Sequence, residues 1–150
     1  MKTTFNINTY QILVTCLLLF IVSISSITFA AQLKQQKKVV LQLTDNTTQK
    51  QILILNVSDN LLKQYGENIK LEIVAFGPGL QLLFNENKYS QRVSKLAKQG
   101  VKFSACRNTY KKMEKTLGKN LQLHEYANET EGGAARILEL IEQGYILLRP

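Results

Sequence analysis

The sequence predicts an α/β domain with a mostly parallel β-sheet of about five strands. Short apolar runs alternate along the chain with segments whose apolar residues recur at helical spacing. Four of the helical segments are followed by a glycine, a residue that commonly ends a helix: Gly66, Gly100, Gly118 and Gly144. Strands that alternate with helices are joined by right-handed crossovers and form a parallel sheet.

The first half of the domain contains two predicted strands around a long helix. Lys37 to Leu43 is an apolar run with strand character, and Thr44 to Thr47 supplies residue types that favour a helix start. The helix runs to about Tyr65, with apolar residues on one face. Ile69 to Phe76 is a second strand, apolar enough to be buried on both faces of the sheet.

The middle of the domain begins with the turn Gly77-Pro78-Gly79, and Leu80 to Phe84 can form a short helical turn. Gln91 to Gln99 is a helix with apolar residues inward and basic residues outward. Val101 to Ala105 is the third strand.

The last part of the domain contains two helices and two strands. Asn108 or Thr109 is expected to cap the first helix. Leu121 to Tyr126 is a weaker fourth strand, and Tyr145 to Arg149 is the terminal strand. The last helix follows Gly132-Gly133, and its predicted apolar face consists of Ala134, Ile137, Leu138 and Ile141.

Residues 1–31 have the pattern of a cleavable secretory signal peptide. Lys2 is the only charged residue before Lys34, an apolar segment follows from about Ile12 to Ile27, and Ala30-Ala31 ends it. The apolar segment is shorter than a membrane span requires. We therefore expect residues 32–150 to form a single exported domain, located in the periplasm, with no stable membrane span after cleavage.

The expected mature chain is basic, with 18 Lys and Arg against 11 Asp and Glu. The stretch from Lys88 to Lys119 contains ten basic residues and a single acidic residue, Glu114. Such a stretch favours anions, whether a small substrate, nucleic acid or anionic lipid, although a solvated helix face is the better interpretation of most such stretches. Export argues against nucleic acid as the partner.

Cys106 is the only cysteine left once the signal peptide, with Cys16, is removed. An apolar run reaches it and a helix start follows it, so the thiol is expected at a helix N-terminus, where the backbone favours a thiolate. Arg107 and Lys102 would add positive charge. A buried and inert core cysteine is an equally good interpretation of the residues alone.

Other chemistries find little support in the residues. His124 is the only histidine, and a lone histidine is more often a packing residue than a catalytic one. One Cys and one His lack the paired spacing of a zinc site, so no metal site is expected. No cofactor is expected either.

Three groups of residues follow predicted strands and are expected at one edge of the sheet. They are Asp45 with its neighbours, the turn with Gly77 and Gly79, and the segment Cys106-Arg107-Asn108. Ligands of open α/β sheets bind at the carboxyl ends of the strands. The sequence therefore places its candidate site at this edge.

Three segments together resemble the exported branch of the DsrE/DsrF-like family. They are Leu71 to Leu80 (LEIVAFGPGL), Gly100 to Thr109 (GVKFSACRNT) and Glu142 to Tyr145 (EQGY), and the resemblance extends from about Lys38 to Pro150. It implies a flavodoxin-like three-layer sandwich, often a homotrimer or hexamer. It also implies that Cys106 carries sulfur as a persulfide, with Asn108 and Thr109 shaping the helix start. Related exported proteins often have histidine where this chain has Phe76.

Two functions from different classes follow, and a third is weaker. The first is a sulfur carrier or sulfurtransferase-like protein whose Cys106 takes sulfur from small anionic species or a sulfur-relay protein, near Arg107 and Lys102. The second is a non-enzymatic oligomeric binding module for an anionic ligand or protein partner. The third makes Cys106 an intermolecular disulfide or redox-sensing thiol.

Overall fold

Five parallel strands form one sheet in the order β4-β3-β2-β1-β5. The structure is a computed structural model that describes Gln11 and residues 36–118 and 120–150, of which Gln36–Pro150 form one compact unit. The predicted signal peptide, with Cys16, lies outside the described residues except for Gln11. The strands are β1 (Lys37–Leu43), β2 (Ile69–Ala75), β3 (Lys102–Cys106), β4 (Ala127–Thr130) and β5 (Ile146–Leu148).

Four helices connect the strands. They are α1 (Thr48–Tyr65), α2 (Ser90–Lys98), α3 (Arg107–Leu117) and α4 (Gly133–Glu142). Two 3₁₀ segments, Gly66–Asn68 and Gly77–Leu83, precede and follow β2. Each of the first three crossovers moves the chain to the neighbouring strand, whereas the crossover through α4 returns across the sheet and places β5 beside β1. The predicted α/β class with a parallel sheet is confirmed.

The larger core lies on one face of the sheet, which we call face A. Alternate strand residues such as Leu41, Ile73 and Phe103 point into it, as the period-two geometry of strands requires. Ile54 and Leu55 of α1 pack against them, with α2, α3 and the second 3₁₀ segment alongside. Each fully buried large apolar side chain stabilises the fold by about 1.5–3 kcal/mol.

The opposite face, face B, is covered among the described elements by α4. Val40 of β1 and Val74 of β2 form its small core with Ile137 and Leu140 of α4. The prediction for this helix was wrong in part, because Leu138 is 62 % exposed and Ile141 is 43 % exposed. Apolar residues surround most of the helix, so periodicity alone is compatible with two different apolar faces. The face with Ile137 and Leu140 packs against the sheet.

The fourth strand lies later in the chain than predicted. Leu121 to Tyr126 was the expected strand, but the chain pairs with β3 only from Ala127. The earlier residues run antiparallel to the end of the second 3₁₀ segment, with a bridge between Phe84 and Leu123. Leu123 packs against the face A core instead of entering the sheet.

Among the described residues, the helices are all too short or too polar to cross a membrane.

Candidate functional site

Cys106 lies where β3 passes directly into α3. It is the last residue of β3, in register with Thr130 of β4, and it immediately precedes the first turn of α3. The sequence predicted a cap at Asn108 or Thr109. The helix begins earlier, at Arg107, because sheet pairing extends to Cys106 and leaves no linker. The thiol therefore lies beside the N–H groups of the first helical turn, which have no partner within the helix.

The environment of the sulfur favours a thiolate. Burial by itself raises the pKa of Cys106, since an apolar setting disfavours charge. The hydroxyl of Thr109 and the backbone N–H groups of Thr109, Gly133 and Asn108 act in the opposite direction, and the resulting pKa lies below the ordinary value for cysteine. The side chain of Cys106 makes no capping hydrogen bond to α3.

Thr109 links the sulfur to the turn that follows β2. The backbone N–H of Gly77 donates to Thr109 Oγ1 at 3.1 Å. Because the oxygen accepts this bond, the proton of the hydroxyl is free to point at Cys106, whose pKa it lowers. Gly77 has φ 54°, a left-handed conformation that glycine adopts with little strain. The Gly-Pro-Gly turn thus orients a donor that acts on the thiol.

The N-terminus of α4 provides the remaining donor. Gly133 is the first residue of α4, and its N–H acts on the Cys106 sulfur. Gly133 packs against Phe76 so closely that a methyl group there would lie 2.5 Å from a ring carbon. A methyl group on Gly132 would lie 3.9 Å from the amide nitrogen of Asn108. The starts of α3 and α4 therefore approach each other around the sulfur.

Arg107 is oriented towards acidic residues that follow β3 in the chain. Its Nε donates to Glu129 at 3.0 Å, and its Nη1 donates to Glu131. These carboxylates raise the pKa of Arg107, whereas Arg107 is not among the groups that shift the pKa of Cys106. The charge of this guanidinium is therefore balanced locally by two carboxylates.

The remaining predicted site residues are those that lie in other parts of the fold and those that adjoin Cys106. Lys102 opens β3 and is exposed, so it lies at the end of that strand opposite Cys106. Asp45 accepts a 2.6 Å bond from the N–H of Thr47, which lowers the pKa of Asp45 and organises the start of α1. Gly79 packs on the end of β1, where a methyl group would lie 2.4 Å from the Leu43 carbonyl oxygen. Of the predicted site residues, only Asn108 and Thr109 act on Cys106 directly, and Gly77 joins it through Thr109.

His124 has a structural environment away from the thiol. Its ring is buried, and the N–H of Tyr126 donates to Nδ1 at 3.2 Å. Nε2 therefore carries the proton in the neutral ring and lies 3.1 Å from the carbonyl oxygen of Ser90 and 3.0 Å from Ser94 Oγ. A ring with both nitrogens engaged in this way has no free base to offer.

An apolar groove lies beside Thr109. It has a volume of about 390 Å³ and runs between the second 3₁₀ segment and α3, lined by Gly77, Pro78, Gln81, Thr109, Lys112, Met113, Thr116 and Leu117. Because Thr109 belongs both to this groove and to the surroundings of the sulfur, a molecule in the groove would contact the donor that orients the thiol.

Among the described residues, no group of three or more His, Cys, Asp or Glu side chains is arranged to hold a metal ion.

Comparison with known proteins identifies the fold. No family model and no curated protein matches the sequence. MTH1491 from Methanobacterium thermoautotrophicum, a protein of unknown function, is 27 % identical with a TM-score of 0.68, over 76 % of this chain and 99 % of that one. The match spans nearly all of that structure. The fold is a flavodoxin-like α/β sandwich.

A second solved structure agrees at the level of fold alone. BT1422 from Bacteroides thetaiotaomicron, a conserved protein of unknown function, has a TM-score of 0.50 at 12 % identity, over 79 % of this chain and 98 % of that one.

Sequence reasoning missed two parts of the site. Gly133 was interpreted as part of a turn, and its contact with Cys106 depends on how α4 crosses the sheet. Glu72, buried on β2, forms an ion pair with the half-buried Arg136 of α4, whose Nε donates to Glu72 at 2.7 Å. The one available signal was Glu72 itself, a charged residue within the apolar run of β2.

Proposed function

We propose that the protein is a periplasmic sulfur carrier or sulfurtransferase-like protein that holds sulfur as a persulfide on Cys106. The observation that supports this proposal most strongly is the convergence of two helix N-termini on one thiol. Uncharged donors from α3 and α4 lower its pKa despite burial. Thiolates are the reactive form of cysteine, and settings of this kind are typical of reactive cysteines.

The chemistry requires a donor with a transferable sulfur atom, such as thiosulfate or a polysulfide. The Cys106 thiolate uses an electron pair to form an S–S bond to the outer sulfur of thiosulfate. The S–S bond of thiosulfate breaks, its electron pair leaves with sulfite, and the protein holds a persulfide anion. An acceptor thiolate then removes the outer sulfur and restores the Cys106 thiolate. The total charge is conserved at each step, and no separate oxidant is needed.

The donors around the sulfur suit this cycle. The same N–H groups and the Thr109 hydroxyl that stabilise the thiolate also stabilise it as the leaving group when sulfur is passed on. The resemblance to the exported DsrE/DsrF-like proteins adds the sulfur-carrying role of the cysteine. It also adds a homotrimer or hexamer, for which Leu138 and Ile141, exposed on α4, are candidate contacts.

A binding module is the second candidate function. Cys106 is only 5 % exposed, and the guanidinium of the next residue, Arg107, is already paired with two carboxylates. Both observations reduce the attraction of the site for a small anion. A partner would then bind elsewhere, and Cys106 would act as a packing residue.

Burial also bears on the disulfide hypothesis. An intermolecular disulfide requires the sulfur to reach the surface, and Cys106 is buried in the described structure.

Mass spectrometry of the full chain after exposure to thiosulfate or polysulfide tests the proposal. We expect a gain of one sulfur atom, located on the peptide that contains Cys106 and removed by a reductant. Cys106→Ser is the control, and its corresponding peptide should gain no sulfur. If the native chain gains no sulfur although iodoacetamide modifies Cys106, the sulfur-carrier proposal fails and the binding module becomes the better explanation.

A further inference from the structure

A buried carboxylate lies on face B, next to the core beneath α4. Glu72 of β2 is 1 % exposed and accepts three hydrogen bonds. Ser104 Oγ donates to its Oε1 at 2.7 Å, and Arg136 donates from Nε at 2.7 Å and from Nη2 at 3.0 Å. The two bonds from Arg136 form a bidentate pair, the geometry in which arginine binds a carboxylate with a defined direction.

The partners of Glu72 belong to the elements that build the cysteine site. Ser104 is two residues before Cys106 on β3, so both side chains point to the same face. Arg136 lies in the first turn of α4, three residues after Gly133. The carboxylate therefore connects the strand that carries the sulfur with the helix whose first N–H group faces the sulfur.

Stability alone does not explain this arrangement. Glu72 must leave water entirely and Arg136 in large part, so a pair of this kind is often no more stabilising than apolar residues of similar size. The neighbouring positions on this face, Val40 and Val74, are apolar and pack against Ile137 and Leu140. Such apolar contacts leave the position of a helix less strictly defined than a bidentate ion pair does.

We propose that Glu72 and Arg136 are positioning residues, whose ion pair holds the first N–H group of α4 against the Cys106 sulfur. The inference rests on the proposed function, in which that sulfur is the reacting atom. Glu72 also fixes β3 through Ser104, so one carboxylate sets the distance between donor and acceptor. A shift of the first turn of α4 would move this N–H group away from the sulfur and so raise the pKa of Cys106 without unfolding the domain.

Charged groups around the site do not account for the lowered pKa of Cys106. Among the charged side chains of the elements around Cys106, those in ion pairs are Arg107 on α3, Glu129 on β4 with Glu131 after it, Glu72 on β2, and Arg136 with Glu139 on α4. The others on these elements are Lys70, Lys102, Lys111, Lys112, Glu114, Lys115 and Glu142. The groups that lower the pKa of the thiol are all uncharged donors. An effect of the ion pair on the thiol is therefore expected through position, not through its own field.

The test is the rate of Cys106 alkylation by iodoacetamide as a function of pH, measured in the full chain. The double variant E72L/R136L removes the pair without leaving a lone buried charge. We expect the midpoint of its profile to move up towards that of a free thiol, near pH 8.5. The rate at a pH below both midpoints should fall about tenfold for each pH unit by which the midpoint moves.

Two further variants keep the result decisive. Arg136→Lys retains the charge but loses the bidentate geometry, and it should shift the midpoint in the same direction by a smaller amount. D59N/R92Q removes another ion pair, between α1 and α2, and should leave the profile unchanged. The proposal is overturned if folded E72L/R136L keeps the native profile, or, should that variant not fold, if Arg136→Lys keeps it. Sulfur uptake by the native chain tests the proposed function separately, because alkylation measures thiol acidity alone.

Discussion

At the scale of single residues, Thr109 connects two parts of the site through one hydroxyl group. Its oxygen accepts from Gly77 and its proton is available to Cys106. The sequence predicted that Thr109 shapes the helix start near the cysteine, since it lies within the first turn after it. The bond to Gly77 was not predictable, because it joins two segments that meet only across neighbouring strands.

Thr109→Val should raise the pKa of the Cys106 thiol. Valine has nearly the same shape but cannot donate to the sulfur, so a group that lowers the pKa is lost while burial still raises it. The measurement is the pH midpoint of iodoacetamide alkylation. Thr109→Ser keeps the hydroxyl and should stay close to the native midpoint. Equal midpoints for the valine and native proteins would contradict the role of the hydroxyl.

Gly133→Ala should destabilise the domain by about 1–3 kcal/mol, the usual cost of overpacking a tight contact. The added methyl group would lie 2.5 Å from the Phe76 ring, so either the ring or the first turn of α4 must move. Denaturation by urea measures the loss. The double variant Phe76→Ala/Gly133→Ala removes the clash, and the two changes should be clearly non-additive. Additive losses would show that the ring is not what excludes a side chain at Gly133.

At the scale of secondary structure elements, the site depends on the meeting of α3 and α4. Most helices and strands were predictable because their apolar periodicity and glycine ends are local signals. The apolar pattern predicted the fourth strand at Leu121 to Tyr126, which is too early in the chain. Leu123 in that segment forms a bridge with Phe84, at the end of the second 3₁₀ segment, and not with β3. The position of α4 depends on long-range packing against β1 and β2, which periodicity does not encode.

The free energy of unfolding should depend on pH through Cys106. A thiol whose pKa is lower in the folded protein than in the unfolded chain stabilises the fold fully above the unfolded pKa, and this contribution is lost as the pH falls through the folded pKa. The stability of the native chain relative to Cys106→Ser should therefore rise with pH between the folded value and about 8.5. Urea denaturation under reducing conditions, at several pH values, measures the difference. A constant or falling difference would contradict a stabilised thiolate.

At the scale of the whole molecule, the sheet has unequal cover on its two faces. Face A carries the larger core with α1, α2 and α3, whereas α4 covers face B and exposes Leu138 and Ile141. Fold class was predictable from the alternation of strands and helices. Which side of α4 meets the sheet was not, because the helix is apolar on more than one side.

The exposed side of α4 should form contacts between copies of the chain if the protein is a homo-oligomer, as the resemblance implies. L138K/I141K places two charges on that surface and should reduce the oligomer to smaller species, because burying an unpaired charge at an interface is strongly unfavourable. Size-exclusion chromatography with light scattering measures the mass. Leu117→Lys, at an exposed apolar residue on α3, is the matched control and should leave the mass unchanged.

The crossover through α4 also sets an order of assembly. β5 pairs with β1 at Val39 and Ile146, so the sheet is completed by residues from opposite ends of the domain. Contacts so distant in sequence form late, because closing a long loop costs entropy. Until α4 has docked, the sulfur lacks the N–H of Gly133 and retains a higher pKa. A chain whose sheet is not yet complete is thus expected to carry a thiol of higher pKa, and the pH midpoint of pulsed alkylation during refolding should fall as the last structural event.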